Sequence, residues 1–401
     1  MRKYLPALLA LTTAVFITSL TETLPAGVLP DMAGDLHVSE AAMGQSVTVY
    51  ALATALTAIP LVAVTAGWDR KRLLLAAMAG FVVGNTATAL SGTFAFTLAG
   101  RFVAGVAAGL AWAVLAGIAR RIVPPSLQGR AIAVAMAGVP VALSLGVPLG
   151  TFVGDALGWR VAFGAMSVLA VGLVGWIAAT VPEQPGQSAA ERAPVLGALR
   201  VPGVVPVLLV TLTYVLAHTI VYAYIATYLD DVGLDGSTDT VLLVFGVASL
   251  ASIWIVGAQV DRRLRALTLT SATLVAVAAG LLAAGGAAPV VYLAAAAWGL
   301  GWGGVPTLLQ TAGARAGGGA ADGAQAMLVT LWNVAMAAGG VAGGVLLDAA
   351  GADALPWGAL VLLVPVLAVV AAAREHGFPA PRRAGRERRA ESANVPAVGE
   401  S

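Results

Sequence analysis

An apolar run that begins at Leu5 is interrupted by one carboxylate, in "AVFITSLTETLPAGVLPDM", residues 14–32. The carboxylate is Glu22, and a later apolar run, 96–118, contains one guanidinium, Arg101. A charge near the middle of a lipid-spanning helix costs about 2.5–3.5 kcal/mol even on insertion scales, so such groups usually face a bundle interior and pair. Glu22 has the chemistry to exchange a proton or hold a cation, whereas Arg101 stays charged at ordinary pH and can only tune its neighbours. The plainer reading of Glu22 is a side chain that snorkels to the headgroups or caps the chain near Pro25 and Pro30. A third ionisable group, His218, lies well inside the run 203–227. An unperturbed histidine titrates near neutral pH, but a lone one in an apolar run also serves as a hydrogen-bonded packing residue. The C-terminal half adds Tyr222, Tyr224, Trp298, Trp302, Gln310, Trp332 and Asn333. These residues suit an amphipathic wall, with Asn333 orienting a polar ligand, and they suit plain aromatic helix packing equally well.

Such groups need elements that hold them inside a membrane. Of 401 residues, 59% are hydrophobic and 10% charged, against about 25% charged in soluble domains. Mean hydropathy is +0.90. A bilayer core of roughly 30 Å takes about 20 apolar residues per helix, and twelve such runs can be marked: 5–27, 44–66, 73–92, 96–118, 131–153, 160–180, 203–227, 240–260, 266–285, 288–311, 325–348 and 355–373. None has the strict alternation of a barrel strand. The expectation is an all-α polytopic membrane protein. The N-terminal "MRKYLPALLALTTAVFITSL" has the basic-then-apolar order of a secretory signal, yet no small-x-small site closes it, and it is expected to remain as the first span. Cysteine is absent, which excludes disulfides, thiol catalysis and cysteine–zinc sites. The net charge of +2 offers no nucleic-acid face.

Basic residues set the orientation. With both termini cytoplasmic, all of the 22 lysines and arginines except Arg101 and Arg160 fall in inner gaps or tails. The outer gaps are acidic, with Asp31, Asp35 and Glu40, then Asp230, Asp231, Asp235 and Asp239. Asp31 and Asp35 read as solvated or helix-capping residues. In this frame Glu22 and Arg101 each lie about five residues, roughly 7 Å, below the outer ends of their helices, at matching depth. "VPEQPGQSAAERAPVLGALRVPG", residues 181–203, is polar and rich in Pro and Gly, and reads as a linker. The expected domains are a six-helix bundle over 1–180, a cytoplasmic linker over 181–202, a second bundle over 203–373 and a disordered tail over 374–401 whose arginines can rest on anionic headgroups. The halves echo one another: "TAGWDRKRLLL" follows span two and "VGAQVDRRLRALTL" follows span eight, a half-chain repeat of the kind found in duplicated transporter bundles. Basic residues such as Arg70 and Arg72 are ordinary in a short inner loop, but the acid Asp69 gains nothing from that rule. Span five is rich in Gly and Pro; Gly146, Gly150 and Gly154, at four-residue spacing around Pro148, let another helix approach closely.

Twelve spans in two halves, the Asp-Arg loop after span two, Arg101 early in span four, "TETLPAGVLPDMAGDL" and "GVPVALSLGVPLGTFVGDALGWR" together resemble the major facilitator superfamily. Within it the chain is similar to the bacterial drug:proton antiporter branch, which includes chloramphenicol-resistance, arabinose-efflux-like and purine-efflux permeases. The resemblance runs to about residue 373. Departures are Thr65 and Arg72 at the loop's two glycine positions, Ala104 where Gln is frequent in span four, and Val147 before Pro148 in the antiporter signature. The resemblance implies that Asp69 docks against the N-terminus of span eleven, whose dipole-positive end favours an acid, and holds a cytoplasmic gate shut. Asp261 with Arg262 would act likewise near the start of span five. It also implies that the glycine-rich span five limits proton leak, and that the protein is a monomer in a bacterial inner membrane.

The reading is a proton-coupled antiporter that exports small molecules by alternating access, with protons and a small-molecule substrate as partners, the proton-motive force as energy source and no cofactor. A proton-coupled importer is the alternative within the class, and a membrane-embedded enzyme or passive pore is the alternative outside it. "GLGWGG", residues 299–304, matches a dinucleotide fingerprint but lies in an apolar helical run without the strand that motif needs. No P-loop lysine, His-Glu-x-x-His or Gly-x-Ser-x-Gly is present.

Overall fold

The computed structural model describes residues 2–186, 195–234, 236–285 and 287–379. Arg192 of the expected linker, Asp235, the side chains of Glu40 and Asp239, and the expected tail from residue 380 onward lie outside the described residues.

Local sequence sets the helix ends. Helix α1 (Leu5–Gly27) opens with Pro6 in its first turn and is followed by the short α2 (Leu29–Asp35), again with a proline at its start. Helix α3 (Glu40–Val64) starts at Ser39, which accepts the Ala42 N–H at 3.1 Å. In the same way Asp69 caps α4 (Arg70–Ala89) through the Arg72 N–H, and Thr93 caps α5 (Phe94–Ile122) through the Phe96 N–H. Each cap satisfies a donor that the first helical turn leaves open. Span five is discontinuous: α6 (Gln128–Met136), α7 (Gly138–Val141), a π-turn at Ala142–Gly146 and α8 (Val147–Leu157). Pro140 and Pro148 lie on either side of the wide turn, each removing one backbone donor. Gly158, at φ +93°, turns the chain into α9 (Trp159–Thr180).

The second half contains α10 (Val204–Ala223), α11 (Ile225–Asp231), α12 (Thr238–Ala283), α13 (Ala288–Trp302), α14 (Val305–Gly317), α15 (Ala321–Ala350) and α16 (Ala354–Ala372). Ten helical stretches among the described residues are long and apolar enough to cross a membrane, and two of these are of double length. α12 breaks at Arg263, where φ is −133°. Gly299 lies against Phe245 while Gly301 lies against Ser271. A straight helix would hold Phe245 and Ser271 roughly 39 Å apart, so α12 folds back at the break and supplies two spans. α13 with α14 forms a further span, and α15 returns after Gly318. The result is a twelve-helix bundle.

Two large buried apolar clusters form, one almost wholly within residues 7–181 and one within 198–378. A small third cluster, Val62, Ala113 and Ala326 with Ile59 and Val195 against it, joins the halves. The polar contacts between halves gather at one end, called here the basic end, which carries Arg70, Arg120, Arg121 and Arg315.

Candidate functional site

Glu22 and Arg101 meet around a proline. Pro25 has no N–H to give to the Thr21 carbonyl four residues back, so that oxygen lacks its helical partner. Arg101 supplies the missing donor, with Nη1 2.6 Å from the Thr21 carbonyl. Its Nε reaches the Ser46 carbonyl at 3.3 Å and Nη2 the main-chain oxygen of Glu22 at 3.5 Å. The guanidinium is fully buried and lies 4.7 Å from the centre of the Tyr50 ring, whose hydroxyl donates to the Thr18 carbonyl. Asn85 Nδ2 donates to Thr21 Oγ1 at 3.1 Å. Arg101 therefore clamps α1 to α3 through backbone. Among the described residues the Glu22 carboxylate has neither an ion-pair partner nor a protein hydrogen bond. Glu22 is half-buried and stands roughly 160° around α1 from Leu20 and Leu24.

That opposite face of α1 is where span five packs. A Cβ added at Gly138 would meet Thr12 and Phe16, at Gly146 Phe16 and Leu20, at Gly150 Leu24, and at Gly154 Val28. These glycines follow α1 turn by turn, and Pro148 sits in the first turn of α8. The arrangement is close helix packing.

In the second half an aromatic cluster surrounds His218. Trp298 Nε1 donates to His218 Nδ1 at 3.0 Å. An indole N–H only donates, so Nδ1 is the bare nitrogen and Nε2 carries the hydrogen. The imidazole stacks on Trp302 at 3.5 Å with 8° between planes, with Tyr222 at 5.2 Å and Phe245 at 6.2 Å. Trp302 in turn contacts Tyr214 and Trp332. Tyr222 is exposed, so one edge of the cluster is open. Asn333 Nδ2 bonds back to the Val329 carbonyl of its own helix, Tyr224 donates to the Gly340 carbonyl, and the Gln310 carbonyl accepts from Gln325.

At the basic end, Asp322 in the first turn of α15 takes Arg70 Nη2 at 2.6 Å and Arg121 Nη2 at 3.3 Å. Arg120 donates to the Ala314 carbonyl at 2.7 Å. Across the bundle, Asp261 accepts the N–H groups of Gly129 and Arg130 at the start of α6 and pairs with Arg315 at 2.9 Å. The deepest hydrogen bond between halves, Thr330 to the Ala55 carbonyl, lies about 13 Å along α15 from its start. Glu22 is roughly 25 Å along α1 from Leu5, beyond this tied zone.

Comparison with known proteins fits this architecture. The sequence profile of the Major Facilitator Superfamily matches residues 11–322. The chain belongs to the major facilitator superfamily. It is 33% identical over 354 residues, 84% of each chain, to a chloramphenicol efflux pump of Mycobacterium tuberculosis. Its fold is similar to the proton:xylose symporter XylE (TM-score 0.76, 16% identity, covering 94% of this chain and 96% of that one) and to FucP in the outward conformation (TM-score 0.75, 13% identity, 92% and 99%). This is a multi-pass membrane protein of a transporter family.

Within that superfamily fold, the expectations for Asp69, Arg262, Arg72 and Asp35 need correction. Asp69 does not reach α15: its Oδ1 caps its own helix and its Oδ2 accepts the Gln184 N–H. The acid at α15 is Asp322, because α15 starts four residues earlier than the apolar run suggests. Asp261 does meet the start of span five, through the Gly129 and Arg130 N–H groups, but the arginine beside it there is Arg315, while Arg262 is exposed; Arg72 offers its backbone N–H while its side chain is exposed. Asp35 is not simply solvated, since it accepts from Trp159 Nε1 at 3.1 Å and pairs with Arg160. Reasoning from sequence missed Asp322, Tyr50, Asn85, Phe245 and Gln184. For Asp322 a signal was present, an acid at a basic-end boundary like Asp69.

Proposed function

We propose that this chain is a proton-coupled exporter of small neutral or monocationic molecules, working by alternating access across a bacterial inner membrane with its termini in the cytoplasm. The observation that carries the reading is the half-buried Glu22 carboxylate, which among the described residues has no ion pair or protein hydrogen bond although the Arg101 guanidinium lies close by, in a bundle whose halves are tied at the opposite end. An ionised carboxylate in such a place is expensive unless a proton or a cation accompanies it. Substrate entering from the cytoplasm binds as Glu22 releases its proton. The halves then rock, the Asp322 and Asp261 contacts re-form, and a proton from outside displaces the substrate. The aromatic face of His218, Tyr222, Trp298 and Trp302 supplies the apolar wall, and Asn333 follows Trp332, which contacts Trp302. Energy comes from the proton-motive force, and no cofactor is needed.

Relationship to a chloramphenicol efflux pump makes chloramphenicol, a neutral amphipathic aromatic, the first compound to try. Cells expressing the chain should accumulate less labelled chloramphenicol than vector controls, and a protonophore should abolish the difference. Purified protein in liposomes should also show saturable counterflow. Unchanged accumulation in the protonophore experiment would rule out proton-driven export of this compound. Acidification of the cytoplasmic side driven by an inward substrate gradient would favour the importer instead.

A further inference from the structure

The polar segment that leaves α9 is built into the basic-end cluster. Asp69 Oδ2 accepts the Gln184 N–H at 2.7 Å, and the Arg70 N–H donates to the Gln184 carbonyl at 2.8 Å. Gln184 is thereby pinned on both sides, and it is buried. Arg121 Nη1 donates to the Pro185 carbonyl at 3.3 Å while its Nη2 reaches Asp322. Gly186 presses on the backbone of Gly67 and Trp68, where a Cβ has no room. Residues 184–186 therefore hold the main chain of Arg70 and the side chain of Arg121, the two cations that grip Asp322 from the other half. The chain comes back to the same place: the Val195 carbonyl and side chain abut Gly323, next to Asp322, and Val195 packs on the small apolar cluster that joins the halves.

The Arg70 grip on Asp322 is incomplete. Among the described residues its Nε and Nη1 are buried without a partner. Unsatisfied buried donors raise the free energy of the closed arrangement, so its persistence depends on what places the arginine.

We infer that the interdomain strap 184–186 is a working part of the gate, with Gln184 as the positioning residue that sets Arg70 and Arg121 against Asp322. Opening the basic end then requires the strap to loosen as well as the ion pairs to break. The inference rests on reading the Asp322 cluster as a gate, and the test separates the two.

Because the chain has no cysteine, introduced cysteines at the exposed positions Ser126 and Arg262, one per half at the basic end, can carry spin labels for distance measurement. Six backgrounds are compared: wild type, Asp322→Asn, Gln184→Pro, the Asp322→Asn/Gln184→Pro double variant, Gln184→Ala and Gly186→Val. Proline removes the N–H given to Asp69, a hydrogen bond to a charged acceptor, and should raise the open-to-closed ratio about tenfold or more. Gln184→Ala keeps both backbone bonds and should stay near wild type. The double variant should open no further than Asp322→Asn alone, because both changes act on one contact. Gly186→Val displaces the strap without touching a gate residue and covers the case in which Gln184→Pro fails to fold. If Asp322→Asn opens the basic end while Gln184→Pro and Gly186→Val do not, the strap inference is wrong and the gate stands. Fully additive opening in the double variant also overturns it, since the strap would then act elsewhere. If Asp322→Asn leaves the basic end closed, the gate reading fails and the strap inference falls with it.

Discussion

At the residue scale, Arg101 shows how a charge inside an apolar run can serve the backbone. Arg101→Lys keeps the charge but not the fork that reaches Thr21, Ser46 and Glu22 at once. It should cost about 1.5–3 kcal/mol of stability, the value of a hydrogen bond to a charged group. Adding Pro25→Ala returns a donor to Thr21 and should recover part of the loss of melting temperature in detergent; no recovery would contradict the clamp. Asp35 makes a pH-dependent prediction. The Arg160 hydrogen bond holds its carboxyl below the usual carboxylate range, with Trp159 adding to the effect and slight burial opposing it. A lowered pKa in the folded state stabilises above the unfolded value of 3.8 and is lost as pH falls through the folded value. Asp35→Asn should therefore destabilise at pH 7 by no more than about 1 kcal/mol, as fits an exposed pair. The gap to wild type should close below pH 4 and not between pH 5 and 8. Glu22, Arg101 and His218 stood out in the sequence because charge in an apolar run is costly. Their partners did not, because a carbonyl freed by Pro25 and an indole aimed at Nδ1 depend on packing between residues 80 positions apart.

At the element scale, the glycine face of span five decides how closely α1 can be approached. Gly150→Val should destabilise by about 1–3 kcal/mol through overpacking against Leu24. Gly172→Ala, which meets nothing within 4 Å, should lie within about 0.5 kcal/mol of wild type. Thermal unfolding of the two side by side checks the contrast, and equal effects would show that the face is not tightly packed. Most spans were legible from hydrophobic length. The breaks were less so: the reversal at Arg263 involves one residue with non-helical angles, and the early start of α15 at Ala321 rests on small residues that carry little hydropathy signal. That small shift places Asp322, and not Asp69, at the start of α15.

At the scale of the whole molecule, the polar contacts between the two bundles gather toward the basic end, and the half-chain echo around Asp69 and Asp261 announced that duplication. The symmetry is incomplete. Asp261 crosses to the other half and caps α6, whereas Asp69 stays in its own half and holds the strap. Sequence similarity between the two loops could not reveal this, because it is fixed by which helix start each acid faces after assembly. The central claim is that Glu22 couples proton movement to substrate movement. The direct measurement is proton release in energised inverted vesicles containing wild type or Glu22→Gln, followed with a pH-gradient probe while substrate is added. The account predicts that substrate collapses part of the gradient in wild type and that Glu22→Gln loses this response along with accumulation. A Glu22→Gln variant that accumulates substrate and releases protons as wild type does would contradict it.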